Sequence, residues 1–497
     1  ILRKRSITSY AQQKYTNTIN IKFLKMNLKH FMLTAAFASF ILTSCSDDDD
    51  MPTPGTIGIA TTEDSYNEGE GTVGITISTT GVNAMDVTIN YEVTGTATEG
   101  EDYQSLSGSV VLPAGETSVQ ESLILIDDTE VESSEEVIFT ITSTSNEEDI
   151  VGANSSLIVT ITDNDSYPFE NGILVSHEGN FMQGNASISF VSDDLATVEN
   201  DIFKTVNDAD ALGDNAQSMS FYENMAYIVM NGSQKIEVVN RYTFESVATI
   251  GGPSETDFLN PRYMAIANGK GYVTNWGDGS NPDDDYVAVI DLETNTVEST
   301  ISVAEGPEKI IVKDNTVYVA LQGGFNQNNG VTVIDATTNT VTTTITVGDR
   351  PNSMQLDDSG NLWVLSSGNP SWTGNETAGQ IDYINTTDNT VTKTMNYAVT
   401  EHPGNLEIDG ATLYYYSGGS VYAMDTTTSV LPTTAEIEGL NFYDMAVIDG
   451  KLYGVDAKDF VSNGSLEVYD LSDNTLLASK TVSIIPGGIY FNETAAR

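Results

Sequence analysis

Asn260-Pro261-Arg262-Tyr263-Met264-Ala265-Ile266-Ala267-Asn268-Gly269-Lys270-Gly271-Tyr272-Val273-Thr274-Asn275 opens the stretch whose reading decides the fold. Apolar and polar residues alternate on both sides of Asn268-Gly269-Lys270, which predicts two half-buried strands joined by a tight turn. A polar loop follows from Trp276 to Asp285, then Val287-Ala288-Val289-Ile290-Asp291, a turn on Glu293-Thr294-Asn295-Thr296, and a fourth strand from Val297 to Val303. The stretch therefore predicts four short strands in an antiparallel meander.

The pattern recurs. Pro307 starts Lys309-Ile310-Ile311-Val312, followed by Val317 to Ala320, a loop from Gln322 to Gly330, Val331 to Asp335 and Val341 to Val347. Pro351 and Pro403 start further copies, giving proline spacings of 46, 44 and 52 residues. An earlier copy runs from Gln217 and a later one from Tyr443. A period of this length built of four strands predicts a β-propeller. Six copies are complete, and the ends supply a seventh. Gly172 to Ser176, Ala186 to Val191 and Leu195 to Phe203 read as three strands lacking an innermost partner, and Pro486-Gly487-Gly488-Ile489-Tyr490-Phe491 reads as that partner. Pairing the N- and C-terminal strands would close a seven-bladed ring and remove its free edges.

Gly271-Tyr272-Val273-Thr274-Asn275 and Val289-Ile290-Asp291-x-x-Thr294-Asn295-Thr296-Val297 resemble the YVTN-repeat propellers. Ser176-His177-Glu178-Gly179-Asn180-Phe181 and Gly213 to Met219 are similar to surface lipoprotein propellers found beside TonB-dependent outer-membrane transporters, some of which capture cobalamin. The resemblance implies the fold of residues 168–497 and leaves the ligand open.

Residues 56–165 carry a second pattern of alternating strands, with acidic loops. Glu68-Gly69-Glu70-Gly71, Tyr91-x-Val93-x-Gly95-Thr96-Ala97-Thr98-x-Gly100-x-Asp102-Tyr103, Leu112-Pro113-Ala114-Gly115-Glu116-Thr117, Ile126-Asp127-Asp128-x-x-x-Glu132-x-x-Glu135 and Ile161-x-Asp163-Asn164-Asp165 follow in order. Together they resemble a Calx-β domain, a seven-stranded immunoglobulin-like sandwich. Crowded carboxylates repel one another unless a hard cation sits among them, and Ca²⁺ takes six to eight oxygen ligands. The resemblance carries calcium binding onto Glu68, Asp102, Asp127, Asp128, Glu132, Glu135, Asp163 and Asp165. The alternative is that these acids only solubilise their loops. The fold class is thus all-β, an immunoglobulin-like Calx-β sandwich followed by a seven-bladed β-propeller.

The N-terminal segment has its own logic. Met26, Lys29 and His30 precede an apolar run from Phe31 to Leu42, closed by Leu42-Thr43-Ser44-Cys45. That run is short for a membrane span and has the form of a secretion signal over residues 26–45, with residues 1–25 upstream of it. Leu-x-x-Cys resembles the bacterial lipobox, implying lipidation of Cys45, the sole cysteine. Ser46-Asp47-Asp48-Asp49-Asp50 begins an acidic linker, residues 46–55, and resembles a surface-export signal of Gram-negative lipoproteins. The expected location is the outer face of the outer membrane, with the lipid as the only membrane contact.

Seventy-one acidic against 20 basic residues give a formal charge of −51, which repels phosphate backbones and argues against nucleic acid as a partner. Minimal turns join the first to second and third to fourth strands of the repeat, so the long loops are expected on the opposite face. Candidate ligand contacts there are His177, Asn180, Phe181, Arg262, Trp276, Asp278, Gln322, Phe325, Asn326, Arg350, Trp372, His402 and Phe460. Five aromatic residues amid amides suggest a stacking surface for a small molecule rich in carbonyls and amides, such as a corrinoid, or for a glycan. Two histidines after the lipobox and no second cysteine argue against multi-histidine metal or thiol catalysis, so no enzyme is expected. The leading expectation is a surface lipoprotein that captures a nutrient and passes it to an outer-membrane transporter. A calcium-stiffened adhesion or interaction scaffold is the alternative, and a glycan-active enzyme a more distant one.

Overall fold

The computed structural model describes residues 55–146, 149–208, 212–252, 254, 257–279 and 281–493. Cys45, the signal segment and the acidic run lie outside the described residues. None of the described helices is long and apolar enough to cross a membrane. The described residues divide into two compact units, 55–129 with 133–164 and 130–132 with 165–493.

The first unit is a sandwich. One sheet orders Ser118–Ile124, Thr72–Thr79, Thr56–Ala60 and Ile150–Val151; the other orders Ser65–Asn67, Ser156–Thr162, Glu135–Thr144, Val87–Gly95 and Ser109–Leu112. Seven longer strands are thus joined by two short edge pieces, Ser65–Asn67 and Ile150–Val151. Period-two alternation explains the core: Val73, Ile75 and Ile77 point inward from one sheet and meet Ile89, Val137, Phe139 and Val159 from the other.

The second unit contains seven four-stranded antiparallel sheets among the described residues. Six of them read straight along the chain, as in Pro261–Ala267, Lys270–Asn275, Tyr286–Asp291 and Thr296–Ser302. The remaining sheet takes Gly172–His177, Ser187–Ser192 and Val198–Glu199 from the start of the unit and Pro486–Asn492 from its end. Gly172 pairs with Asn492 and Val175 with Ile489. Asn492 reinforces that seam, its Nδ2 donating to the carbonyls of Phe169 and Arg241 and its Oδ1 accepting from Arg241 Nε at 2.7 Å.

Middle strands such as Tyr286–Asp291 and Gly330–Asp335 are buried on both faces, so they read as nearly continuous Val, Ile and Ala. Apolar clusters form between neighbouring sheets: Tyr272, Val287 and Val289 pack with Val317, Val319 and Ile334 of the next sheet.

Two expectations are corrected. The strand read over Leu195 to Phe203 is only Val198–Glu199, followed by a short helix, Ile202–Asn207, which buries Ile202 and Phe203. Long connections are also not confined to one face. In the sheet built from Gly404–Asp409, Thr412–Ser417, Ser420–Asp425 and Ile437–Glu438, the second and third strands meet at Gly418-Gly419, whereas the long connection, residues 426–436, joins third to fourth. Both glycines have positive φ, 58° and 83°, and so make a turn too tight for an excursion there.

Candidate functional sites

At the end of the sandwich, Glu68, Asp163 and Asp165 each place a carboxylate oxygen within 4.8 Å of the other two. Glu68 is buried and heads a single 3-10 turn, Glu68–Glu70, capped by Asn67, whose side chain accepts from Gly69 N at 3.0 Å while Glu70 answers to Asn67 N. The Asn164 backbone donates to Glu68 Oε1 at 3.3 Å, and its side chain donates to Asp127 Oδ1 at 2.7 Å, which brings the Asp127 loop alongside. Three buried or half-buried carboxylates at this spacing make a hard-oxygen donor set that suits a divalent cation.

Of the eight acids expected there, this trio is the one grouped at ligand spacing among the described residues. Asp102 is turned elsewhere: its Oδ2 accepts from Thr98 N at 2.6 Å and fixes the 98–102 turn. Asp128, Glu132 and Glu135 fall outside the trio.

In the second unit the innermost strands carry the polar residues that matter. Where five of them begin, the register to the second strand slips, at Ala216/Ser218, Pro261/Met264, Pro307/Ile310, Pro351/Ser353 and Gly404/Glu407. Proline has no N–H to complete the ladder, and a bulge re-aims the side chains beside it. Arg262 and Glu308 follow their prolines and meet: Arg262 Nε and Nη2 donate to the two Glu308 carboxylate oxygens, each at 2.9 Å, and Nη1 donates to Gln217 Oε1. The guanidinium also lies 4.0 Å from the centre of the Trp276 ring. Burial opposes the Arg262 charge, but Glu308 outweighs it and holds the pKa above its ordinary value.

Trp276 meets Phe325 edge to face at 5.5 Å, and Phe325 covers Gly279, where any side chain would collide with its ring. Asp285 is nearly fully buried behind this loop and accepts from Gly306 N; burial, with Asp284 and Glu305 nearby, pushes its pKa up to about 6. Asn326 donates to Glu305 and accepts from Arg350 Nη1 at 3.1 Å. Gln322 is tied by its backbone to Gly306, and Asp278 by its backbone to Asp284.

A second aromatic group lies beyond Arg262. Glu178 accepts from Tyr443 Oη at 3.2 Å, Tyr443 meets Phe460 edge to face at 5.5 Å, and Asn180 Nδ2 donates to the Phe460 carbonyl at 2.9 Å. Phe181, Met182 and Val461 stand exposed around it. Burial raises the Glu178 pKa, against the Tyr443 hydrogen bond and the Arg262 charge. Phe460, Tyr443, Glu178, Arg262, Trp276 and Phe325 therefore form one run, linked pair by pair through contact or charge. Trp372 stands on its own turn, Ser371–Thr373, at 73 % exposure. His402 pairs through Nδ1 with the Ser367 carbonyl at 2.8 Å and through Nε2 with Glu376 at 3.3 Å.

The structure corrects the expectation for His177. It closes a fully buried strand, its Nε2 is bonded to Ser189 Oγ at 2.8 Å, and burial lowers its pKa to about 3. It is a neutral core residue, because every residue of Gly172–His177 is buried, on both faces of the strand. Sequence reading also passed over Glu178, Gln217, Glu308, Lys309, Glu407, Tyr443 and Asp444. A signal existed: polar pairs directly follow the repeat prolines, as in Arg262-Tyr263 and Glu308-Lys309, where alternation would make one residue apolar.

Comparison with known proteins agrees with this two-part architecture. Residues 171–461 match the family described as a domain of unknown function (DUF5074), and the chain belongs to that family. Residues 48–165 match the Calx-beta domain. Among curated proteins none matches the chain. A quinonprotein alcohol dehydrogenase-like protein from Bacteroides thetaiotaomicron is 14% identical, with 84% of this chain and 94% of that one covered at a TM-score of 0.49. Hydrazine synthase of Kuenenia stuttgartiensis is 16% identical over 53% of this chain and 84% of that one, at 0.41. An apo-form Calx CBD1 domain is 22% identical over 22% of this chain and 99% of that one, at 0.20. No activity passes to this chain from likenesses of this size.

Proposed function

We propose that this chain is a surface lipoprotein, anchored through Cys45, whose second unit is a closed seven-bladed propeller that captures a nutrient ligand and hands it to an outer-membrane transporter. The ligand proposed is cobalamin or another corrinoid. The observation that carries the reading is the run from Phe460 to Phe325, which sets two exposed aromatic groups on either side of a clamped arginine. Rings of this kind offer stacking area at low entropic cost, and Arg262, held by Glu308, keeps its position without a ligand. Asn180, Gln322 and Asn326 supply amides suited to a ligand edged with carbonyls and amides. The Calx-beta unit, with calcium at Glu68, Asp163 and Asp165, would serve as a stiff spacer between anchor and propeller. Equilibrium titration of the full chain with cyanocobalamin tests the ligand: binding at micromolar concentration, weakened by Phe460→Ala and by Trp276→Ala, supports it. Absence of binding at that concentration refutes the corrinoid assignment.

The carboxylate trio favours a second reading, an adhesion or interaction scaffold whose stiffness depends on calcium. Calcium-dependent attachment to cells or matrix, with no small-ligand binding by the propeller, would select it.

A further inference from the structure

One residue on from Arg262 and Glu308, Tyr263 and Lys309 line a cavity of 370 Å³ between the innermost strands. Its wall carries three ionisable groups: Lys309 from Pro307–Lys313, Glu407 from Gly404–Asp409 and Asp444 from Asp444–Ile448. Lys309 and Asp444 belong to sheets three places apart in the order of the chain and face the same space. Neither acid makes a direct ion pair with Lys309 among the described residues, and the ammonium's one close partner is the face of Tyr263, 4.2 Å away. A lysine lining an interior space so weakly partnered leaves three N–H donors to be satisfied by whatever fills that space.

The charges are set for a dipolar guest. Burial opposes the Lys309 charge, but Tyr263, Asp444 and Tyr490 outweigh it and raise the pKa, so the ammonium is kept. Burial, and then Asp444, pushes Glu407 up to about 8 against Lys309 and the Gln355 hydrogen bond, so at neutral pH this group is a neutral acid able to donate. Burial raises the Asp444 pKa too, against the Lys309 charge and the Met445 backbone hydrogen bond, so a positive group brought beside it favours its carboxylate. A bare anion would satisfy Lys309 and leave Asp444 without a cation; a bare cation would do the reverse. The volume is near the lower end of the roughly 300–1,000 Å³ of small-molecule sites, too small for a corrinoid.

We infer that this cavity binds a small zwitterion of amino-acid size, its carboxylate on Lys309 and Glu407 and its amine on Asp444. This site is separate from the aromatic run and does not depend on what binds there.

The test is calorimetric titration of the full chain at pH 7 with each of the twenty protein amino acids singly, and with acetate and methylammonium as the two halves of the zwitterion. The expected result is that at least one amino acid binds with a Kd below about 1 mM. Acetate and methylammonium should each bind at least about tenfold more weakly than that amino acid, as should the amino acid itself to Lys309→Met and Asp444→Asn. The inference is overturned if no amino acid binds, which would mean a water-filled cavity, or if acetate binds as tightly as the amino acid. Undiminished binding in folded Lys309→Met and Asp444→Asn chains would also overturn it. Should either variant fail to fold, the comparison of amino acid with its halves on the unaltered chain still decides.

Discussion

The hydroxyl of Tyr272 donates to Asn339 Oδ1 at 2.7 Å, joining the second strand of one sheet to a turn of the next. The same link recurs from Tyr227 to Asn295 at 3.1 Å and from Tyr318 to Asn389 at 3.2 Å. All three asparagines have positive φ, 53°, 54° and 57°, a conformation Asn tolerates better than most residues. This accounts physically for the Tyr of the repeat's second strand and the Asn of its turn. Tyr272 lies buried between sheets, so Tyr272→Phe keeps the ring and leaves Asn339 short of a donor. A loss of about 1–2 kcal/mol is expected in denaturant unfolding. Asn339→Gly, which keeps the turn, should cost a similar amount, and the double variant less than the sum.

Glu308→Gln should be more damaging than its exposed counterparts. The carboxylate is buried and grips Arg262 with both oxygens, so the amide leaves a buried guanidinium uncompensated. Removing one partner of such a pair costs about 3–5 kcal/mol. Glu298→Gln, which breaks the surface pair with Lys270, should cost under about 1 kcal/mol. Paired melts of the two variants measure the contrast.

Asp285 predicts a pH dependence of definite sign. Its folded pKa of about 6 lies above the ordinary 3.8, so the folded chain binds that proton more tightly than the unfolded chain. The stabilisation is complete below pH 3.8 and is lost as pH rises through 6, by about 3 kcal/mol at most. Asn in its place can still accept from Gly306 N. The difference in stability between Asp285→Asn and the unaltered chain should therefore change across this window and be flat above it. Unfolding at a series of pH values checks it.

Calcium should act on the first unit alone. Chelation is expected to lower the melting temperature of the sandwich and leave that of the second unit unchanged, as resolved by calorimetry. Asp163→Asn should abolish the calcium response, because it removes one carboxylate of the trio, whereas Asp102→Asn should retain calcium binding while loosening the turn at Thr98.

What could be read from the sequence followed local rules. Asn268-Gly269-Lys270 forms the turn its composition dictates, and Pro261, Pro307 and Pro351 each open an innermost strand. The pairing of Gly172–His177 with Pro486–Asn492 was legible because an unpartnered strand at each end of a repeat needs one. The site was less legible because its members come from separate sheets and are brought together by their packing and not by spacing. Nothing near Lys309 in sequence announces Asp444, and nothing near Arg262 announces Tyr443. His177 misled because Gly172–His177 is buried on both faces, so a polar residue that ends it is covered whichever way it points. The acids of the sandwich were readable as a set, but which of them converge depends on how Asn67 and Asn164 fix their loops.

The seam at Asn492 bears on how this protein is made. Its side chain bonds to Phe169, 323 residues earlier, and the strand it ends supplies the innermost member of the first sheet of its unit. Residues 172–485 must therefore be synthesised before that sheet can be completed, and a chain that stops short of Pro486–Asn492 presents a free edge at Gly172–His177. Contacts of such sequence separation slow folding. Translation stalled before Pro486–Asn492 would leave a nascent chain with an adhesive edge, so quality control during synthesis has a specific intermediate to guard.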